Sequence, residues 1–264
     1  MQELFVIKIG GNILDDAQKL RRFLSDFADL PGAKLLVHGG GKIASAIGRR
    51  LGIEPQLVEG RRITDAETLE LVTMVYGGLV NKQVVAQLQA AGCNAIGLTG
   101  ADANSIPARK RAVEQVDYGF AGDVAGPASI NTTALAGLLQ LGLTPVFAPL
   151  THDGQGNMLN TNADTIASVL ATALAGKYNV RLIYCFEKAG VLLDATDDAS
   201  VIPVIGKAKY KALKEAGVVS AGMLPKLDNA FAALDQGVKA VQIGDAAEIS
   251  DLVANSGAGT LLTC

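Results

Sequence analysis

Two glycine-rich turns hold the residues of this 264-residue chain best suited to chemistry. The first is Lys8-Ile9-Gly10-Gly11-Asn12, where the apolar run Leu4 to Ile9 carries a single charge, Lys8, near its end. A glycine pair lets the backbone approach a ligand closely and present bare N–H groups to it. A cation at the carboxyl end of a strand, then glycines, then a helix start, is where an open α/β sheet binds anions. The second turn, Val37-His38-Gly39-Gly40-Gly41-Lys42, repeats the arrangement. Neither has the G-x-x-x-x-G-K-[ST] spacing of a P-loop. Gly39-x-Gly41-x-x-Ala44, with Glu59 about 20 residues on, does match a dinucleotide fingerprint. A nicotinamide site, however, has no use for the other lysine-bearing glycine turn, at Lys8-Gly10-Gly11. Two such turns suit a group with several phosphate charges being passed between two ligands. The plain alternative for Lys8, a lysine snorkelling from a strand end, stays open at this point.

The elements that must position these turns alternate along the chain. Leu4 to Ile9 and Lys34 to His38 are apolar runs bounded by turn residues, the pattern of strands buried on both faces. Asp15-Asp16 opens a helix whose apolar positions are Leu20, Phe23, Leu24 and Phe27. Thr64 or Asp65 caps a long amphipathic helix through Leu69, Val72, Val75, Leu79, Val80, Val84 and Leu88. Asn94 to Leu98 is a third strand. Residues 105 to 126 read as short hairpins at the edge of the sheet. Asn131 caps a helix to Leu141, and Thr144 to Ala148 is a fourth strand. His152 to Asn157 is a hairpin tip, leading to Asn160-Thr161-Asn162-Ala163-Asp164 and an apolar helix from Ile166 to Ala175. Asp164 is a candidate cap for that helix, and Asn160 and Asn162 candidate hairpin residues. Val180 to Phe186 and Lys239 to Gly244 are further strands, with a lysine-rich helix from Gly206 to Gly217 between them. A helix start near Lys226 precedes the second of these strands, and a closing strand lies at Thr260 to Leu262. Strands alternating with helices predict α/β architecture: a three-layer αβα sandwich with a mostly parallel central sheet. A functional boundary is expected near residues 176 to 180, dividing a lobe of residues 1–176 from one of residues 177–264 within one continuous domain.

Composition excludes several classes. The chain is 49% hydrophobic and 19% charged with 30 glycines, as suits a globular α/β enzyme rather than a fibrous or disordered protein. A net charge of −3 gives no nucleic-acid footprint. No segment approaches the roughly 18 apolar residues of a membrane span. Met1-Gln2-Glu3 lacks the basic start of a signal peptide. Cys93, Cys185 and Cys264 are far apart, without metal-ligand spacing, and only two histidines exist, so a His-rich metal site is excluded and no protein-held metal is expected. These features predict a reduced, cytoplasmic protein. His38 reads as a packed strand-end residue and His152 as an exposed turn residue.

Taken together, Lys8-x-Gly10-Gly11, Val37-His38-Gly39-Gly40-Gly41, Gly60-x-Arg62-x-Thr64-Asp65, Asn160-x-Asn162-Ala163-Asp164 and Gly222-Met223-x-x-Lys226 occur in the order and spacing of the amino acid kinase family, which the chain resembles over essentially its whole length. The resemblance implies that fold, with ATP and Mg²⁺ (the metal held mainly by the nucleotide phosphates) used to phosphorylate the side-chain carboxylate of an N-acyl-L-glutamate in arginine biosynthesis. The acyl group is acetyl or, in some relatives, succinyl; a non-catalytic regulator that binds nucleotide or amino acid on the same fold is the alternative of a different class. By the same resemblance Lys8 and Lys226 would flank the transferred phosphoryl group, with Asp164 holding both. Gly11, Gly39 and Gly40 would offer amides to the transferring oxygens and the acceptor. Arg62 and Asn160 would bind the α-carboxylate and acylamino group. Gly10, Glu187, Gly190, Val191, Leu192, Gly222 and Met223 would hold the nucleotide. One departure stands out: relatives carry Ser/Thr-Asp-Val where this chain has Phe186-Glu187-Lys188.

The residue types suit that chemistry. A side-chain carboxylate with a pKa of ~4.3 is already ionised at neutral pH and needs no general base. What must be overcome is an anion attacking an anion, which calls for positive charge and oriented N–H groups. Arginine-sensitive hexamers of the family resemble one another in an extra helix ahead of the first strand. Only seven residues precede Lys8, so a homodimer insensitive to arginine is expected, with the helix after Thr64 as its contact surface.

Overall fold

The computed structural model describes residues 1–194, 196–216 and 223–264, the side chain of Pro225 aside. The chain begins with β1 (Glu3–Ile9), α1 (Gly11–Leu14), α2 (Ala17–Asp29), β2 (Ala33–His38) and α3 (Gly41–Arg50). A hairpin of β3 (Leu57–Val58) and β4 (Arg61–Arg62) leads to α4 (Ala66–Val72), a π-helical segment (Thr73–Val80) and α5 (Asn81–Ala90). Next come β5 (Ala95–Leu98), β6 (Ala108–Lys110), β7 (Gly122–Val124), α6 (Thr132–Gln140), β8 (Thr144–Phe147), β9 (Leu150–His152), β10 (Met158–Asn160) and α7 (Ala163–Leu174). The remainder is β11 (Asn179–Phe186), β12 (Val204–Gly206), α8 (Lys207–Glu215), α9 (Leu224–Asp235), β13 (Ala240–Asp245), α10 (Ile249–Ala254) and β14 (Thr260–Thr263).

Eight strands form one sheet in the order β12-β14-β13-β11-β1-β2-β8-β5, parallel throughout except for the β13–β14 pair. Because successive side chains of a strand point to opposite faces, β1 supplies both sides of the core. Leu4 and Val6 face a layer of α6, α7, α8 and α9. Phe5, Ile7 and Ile9 face a layer built on α2, the α4–α5 helix and α10. This is the three-layer sandwich expected. Among the described residues no helix is long and apolar enough to cross a membrane.

Local signals account for most boundaries. Asp16 accepts from the N–H of Gln18 and Lys19 at the start of α2, Asp65 from Thr68 at α4, and Asn131 from Ala134 at α6. The cap of α7 is Asn162, whose Oδ1 accepts from the N–H of Asp164 (2.8 Å) and Thr165 (3.1 Å), so Asp164 is not the cap. It lies in the first turn, where its charge suits the helix dipole and its side chain is left for other work.

Two further expectations are corrected. The helix after Asp65 is not uniform: the π-helical segment shifts its register, as such insertions do. Val72, Val75, Val80, Val84 and Leu88 are buried as the spacing predicts, but Leu79 is 41% exposed and Met74 58% exposed, while Tyr76 turns inward. The hairpin of β6 and β7 does not extend the edge of the main sheet. It forms a small separate sheet, joined by isolated bridges (Pro107–His152 and Ala121–Asn160) to the β9–β10 hairpin. Gly119 lets this region press against Thr64: its φ is +63°, and a Cβ there would lie 2.1 Å from the Thr64 carbonyl oxygen.

Candidate active site

Strand β1 lies in parallel register between β2 and β11, so the carboxyl ends of all three meet at one edge of the sheet. From β1 the chain passes to β2 on one side and later to β11 on the other, and the crevice beyond such a switch point is where open α/β sheets bind ligands. Lys8 shares the face of Leu4 and Val6, and therefore emerges under α7. There its Nζ lies 2.7 Å from Asp164 Oδ1, in an ion pair with little solvent access (side chains 9% and 16% exposed). Asp164 Oδ1 is buried and has no hydrogen-bond partner among the described residues, so the contact with Lys8 is an ion pair without hydrogen-bond geometry. Tyr184 and Phe186 lie on the same face of β11, Tyr184 opposite Lys8. Lys226, in the first turn of α9, rests its Nζ 3.8 Å from the centre of the Phe186 ring, and Lys8 Nζ is 5.2 Å from the same ring. Burial pushes the Lys226 pKa below the usual lysine value, Asp164 acts the other way, and Lys8 adds to the lowering. Two lysines, one carboxylate and one aromatic face thus converge.

The glycine turns pass close beside them. A Cβ on Gly10 would lie 3.8 Å from Lys8 Nζ, and one on Gly39 would lie 3.8 Å from the Gly11 nitrogen. The turns therefore form one continuous backbone ribbon, with Gly10 leading into α1 and Gly40 into α3. Gly40 has φ +150°, and a Cβ there would meet the Tyr76 ring at 3.0 Å, so glycine is required. The Gly39 N–H donates to the Ile9 carbonyl (3.2 Å). This corrects its expected place among the free donors: Gly39 ties the two turns together, and the first turn of α3 supplies the open amides.

Arg62 leaves β4 toward α3, where Nη2 donates to the Gly41 carbonyl (2.9 Å) and to Ser45 Oγ (2.7 Å). Its neighbour Arg61 points the other way, into a cavity of about 470 Å³ that also takes Arg111 and Asp123. Asn160 Nδ2 donates to Thr64 Oγ1 (2.9 Å), which in turn donates to the Arg62 carbonyl (3.2 Å). Arg62 and Asn160, 98 residues apart in the chain, are thus joined through buried Thr64.

The expected nucleotide residues are more scattered. Glu187 is exposed and, with Phe186, Asn12 and Asp245, lines a cavity of about 240 Å³ beside the site. Gly190 has a packing reason to be glycine, since a Cβ would lie 2.6 Å from Thr260 Oγ1. Val191 is buried, and its N–H donates to the same hydroxyl (2.8 Å). Leu192 bridges to Val201, and Met223 packs against the core. Gly222 lies outside the described residues. Among those residues no group of three or more His, Cys, Asp or Glu side chains could hold a metal.

The sequence profile of the amino acid kinase family matches residues 3–245. An acetylglutamate kinase of Cytophaga hutchinsonii is 56% identical over 264 residues, spanning 99% of both chains. The chain belongs to the amino acid kinase family. A second acetylglutamate kinase, from Parabacteroides distasonis, is 57% identical over 94% of this chain and 96% of its own. The fold is shared with N-acetylglutamate synthase from Neisseria gonorrhoeae, of which it covers 59%, with all of this chain aligned, a TM-score of 0.83 and 22% identity. Membership of a kinase family removes the dinucleotide reading of Gly39-x-Gly41-x-x-Ala44. Glu59, which that reading needs beside a ribose, sits in the tip of the β3–β4 hairpin with φ +50°.

Three residues of the amino acid kinase site escaped the sequence reading: Phe186 under the lysines, Tyr76 against Gly40, and Asn81. Asn81, at the end of the apolar stretch of residues 72–80, is a buried amide. It donates from Nδ2 to Nε2 of His38, which is itself buried and held uncharged, since burial pushes its pKa down to about 4. Between that value and the ordinary 6.5 the unfolded chain binds a proton that the folded chain refuses. Stability from this group is therefore complete above 6.5 and falls as the pH drops toward 4. The slope attributable to His38 should approach ~1.4 kcal/mol per pH unit. Urea unfolding of wild type and His38→Asn across this window checks it: the variant should lose that part of the slope, and identical slopes would refute it.

Proposed function

We propose that the protein transfers the γ-phosphoryl group of ATP to the side-chain carboxylate of N-acetyl-L-glutamate, giving an acyl phosphate in arginine biosynthesis. The observation that carries this reading is the convergence of Lys8 and Lys226 on the Phe186 ring, with Lys8 paired to Asp164, beside two linked glycine turns at the sheet's edge. Near-full-length identity to proteins named acetylglutamate kinase supports it. A coupled kinase assay comparing N-acetylglutamate, N-succinylglutamate, free glutamate and aspartate tests it, with N-acetylglutamate expected to turn over best.

In this reading the acceptor carboxylate attacks as it stands, and the protein's task is electrostatic. Lys8 and Lys226 flank the transferring group and offset the charge gathered as two anions meet. Asp164 keeps the Lys8 ammonium at the strand end rather than on the first passing phosphate. Amides of Gly11, Gly40 and the start of α3 donate to the oxygens. Arg62 turns from the Gly41 carbonyl and Ser45 to fork onto the substrate's α-carboxylate, and Asn160 takes the acylamino group. Since the described residues hold no cluster of three or more His, Cys, Asp or Glu ligands, Mg²⁺ would be held mainly by the nucleotide phosphates, whose charge it would lower. Residues 177–264 form the nucleotide lobe and residues 1–176 the acylglutamate and dimer lobe. The setting is the cytoplasm, where buried Cys93 and Cys185 remain free thiols.

Lys226→Ala should lower kcat by on the order of 100-fold or more with the melting temperature unchanged. Lys8→Ala should match that loss and also destabilise the protein, because it strips the buried Asp164 carboxylate of its partner. Near-wild-type turnover in either variant would sink the assigned roles.

Arg62→Ala should raise the KM for the acylglutamate on the order of 100-fold, about 3 kcal/mol, while the KM for ATP stays within about twofold. Steady-state kinetics with each substrate varied separates the two, and equal losses would contradict the division into lobes.

Met74 and Leu79, exposed on the π-helical segment, mark the surface of a homodimer. Light scattering should give the dimer mass for wild type and the monomer mass for Met74→Asp/Leu79→Asp. A monomeric wild type would overturn the assembly.

A further inference from the structure

Gly40 occupies a backbone conformation open only to glycine, next to a second and a third glycine, and such peptides turn over easily. A flip of the Gly39–Gly40 peptide would replace an N–H donor by a carbonyl oxygen at an edge meant for anions. Something must therefore hold this peptide in one orientation, and the contacts beneath it do.

His38 ends β2 on the face that packs against α5, and its side chain is fully buried. Asn81 Nδ2 lies 3.1 Å from His38 Nε2 and 2.9 Å from the Val146 carbonyl. Asn81 Oδ1 accepts from Lys82 Nζ at 3.2 Å, and Lys82 also donates to the Gly97 carbonyl. Every polar atom of the Asn81 amide is thus committed, which fixes its nitrogen as donor to the ring. Nε2 must accept, so the proton of the neutral ring sits on Nδ1, 2.7 Å from the Gly39 carbonyl oxygen, to which it donates. The space for this arrangement is written into the neighbouring strand: a Cβ on Gly97 would lie 2.0 Å from Asn81 Oδ1.

A peptide plane is rigid, and in the trans form its C=O and N–H point in opposite directions; the described chain has no cis peptide. Pinning the Gly39 carbonyl toward His38 and α5 therefore aims the Gly40 N–H to the opposite side, the face on which Lys8 and Asp164 lie. The Tyr76 ring, packed where a Gly40 Cβ would go, closes the space behind the turn.

We propose that His38 and Asn81 are positioning residues: a buried hydrogen-bonded pair that locks the Gly39–Gly40 peptide so that its N–H, not its carbonyl, faces the transferring group. The inference rests on the kinase reading above for the identity of that group, but not for the lock itself. Neither residue needs to touch substrate. The ring proton is never transferred; its work is to remain on Nδ1.

Two measurements test it. Nitrogen-detected NMR of histidine-labelled wild type should find His38 as the Nδ1–H tautomer at neutral pH; an Nε2–H or cationic ring would overturn the lock whatever the enzyme's activity. In kinetics, His38→Leu keeps the bulk and removes the donor, and should lower kcat on the order of 100-fold while the KM for ATP stays within about twofold. His38→Asn, whose amide nitrogen falls near the Nδ1 position, should recover turnover to within about tenfold of wild type. Should His38→Leu fail to fold, Asn81→Ala serves instead, with an expected loss of about tenfold or more in kcat and no change in ATP affinity. A folded His38→Leu or Asn81→Ala with wild-type kcat, or an Asn variant no better than Leu, would overturn the proposal. An inactive wild type would remove the kinase reading and leave the tautomer measurement to judge the lock.

Discussion

The pairing of β1 with parallel neighbours on both sides constrains everything else at the site. Parallel strands begin at one edge of a sheet and end at the other, so every turn that follows β1, β2 and β11 opens on the same side. Alternation along β1 then decides what reaches that edge. Odd-numbered Phe5, Ile7 and Ile9 are spent on the α2 face, while Leu4, Val6 and Lys8 point to α7. A one-residue slip in the register of β1 would carry Lys8 to the α2 face, away from Asp164, and press Phe5, Ile7 and Ile9 into space packed for Leu4 and Val6. The hydrophobic core therefore enforces the position of the lysine, and the fold cannot lose one without the other.

The ion pair of Lys8 with Asp164 is best seen as a device of position rather than stability. Buried pairs often return little more than the desolvation they cost, and this one lacks hydrogen-bond geometry at Oδ1. Its carboxylate stands on a helix whose first turn favours negative charge, with Asn162 taking over the capping that Asp164 would otherwise do. Lys226 lies in the first turn of its own helix, where the dipole opposes a cation. The Phe186 ring, 3.8 Å away, supplies attraction without adding a second carboxylate that would repel phosphate. A site built to receive several negative charges is thus held together with as little negative charge as possible.

What was legible in the sequence was whatever depends on near neighbours. The buried strands, the caps at Asp16, Asp65 and Asn131, and the two glycine turns all follow from patterns a few residues long. Motif order points to Lys8, Asp164 and Lys226, and the structure pairs Lys8 with Asp164 and sets both lysines over the Phe186 ring. The features that stayed hidden depend on long separations. Gly190 is glycine because of Thr260, and Arg62 meets Asn160 only through Thr64. The π-helical segment has no local signature strong enough to break the periodicity of Val72, Val75, Val80 and Val84, yet it leaves Leu79 outside. The β6–β7 pair stays hidden as a separate sheet because strand propensity does not say which sheet a short strand joins.

The same π-helical segment unites features that look independent in the chain. Tyr76 presses on Gly40, Val80 stands behind it, and Asn81 at the segment's end holds His38. The Tyr76 hydroxyl also lies against Arg62: burial raises the pKa of the phenol, and the guanidinium partly offsets that rise. In an ordinary α-helix Leu79 would fall on the buried arc between Val72 and Val75; the wider π turn carries it outward while Val75, Tyr76, Val80 and Asn81 all stay buried. The irregularity is therefore where the core stops serving stability alone and begins to shape the anion site. A helix wound wider at the glycine turn supports an amide that must not rotate, and the exposed Leu79 is the outward consequence of the same shift in register.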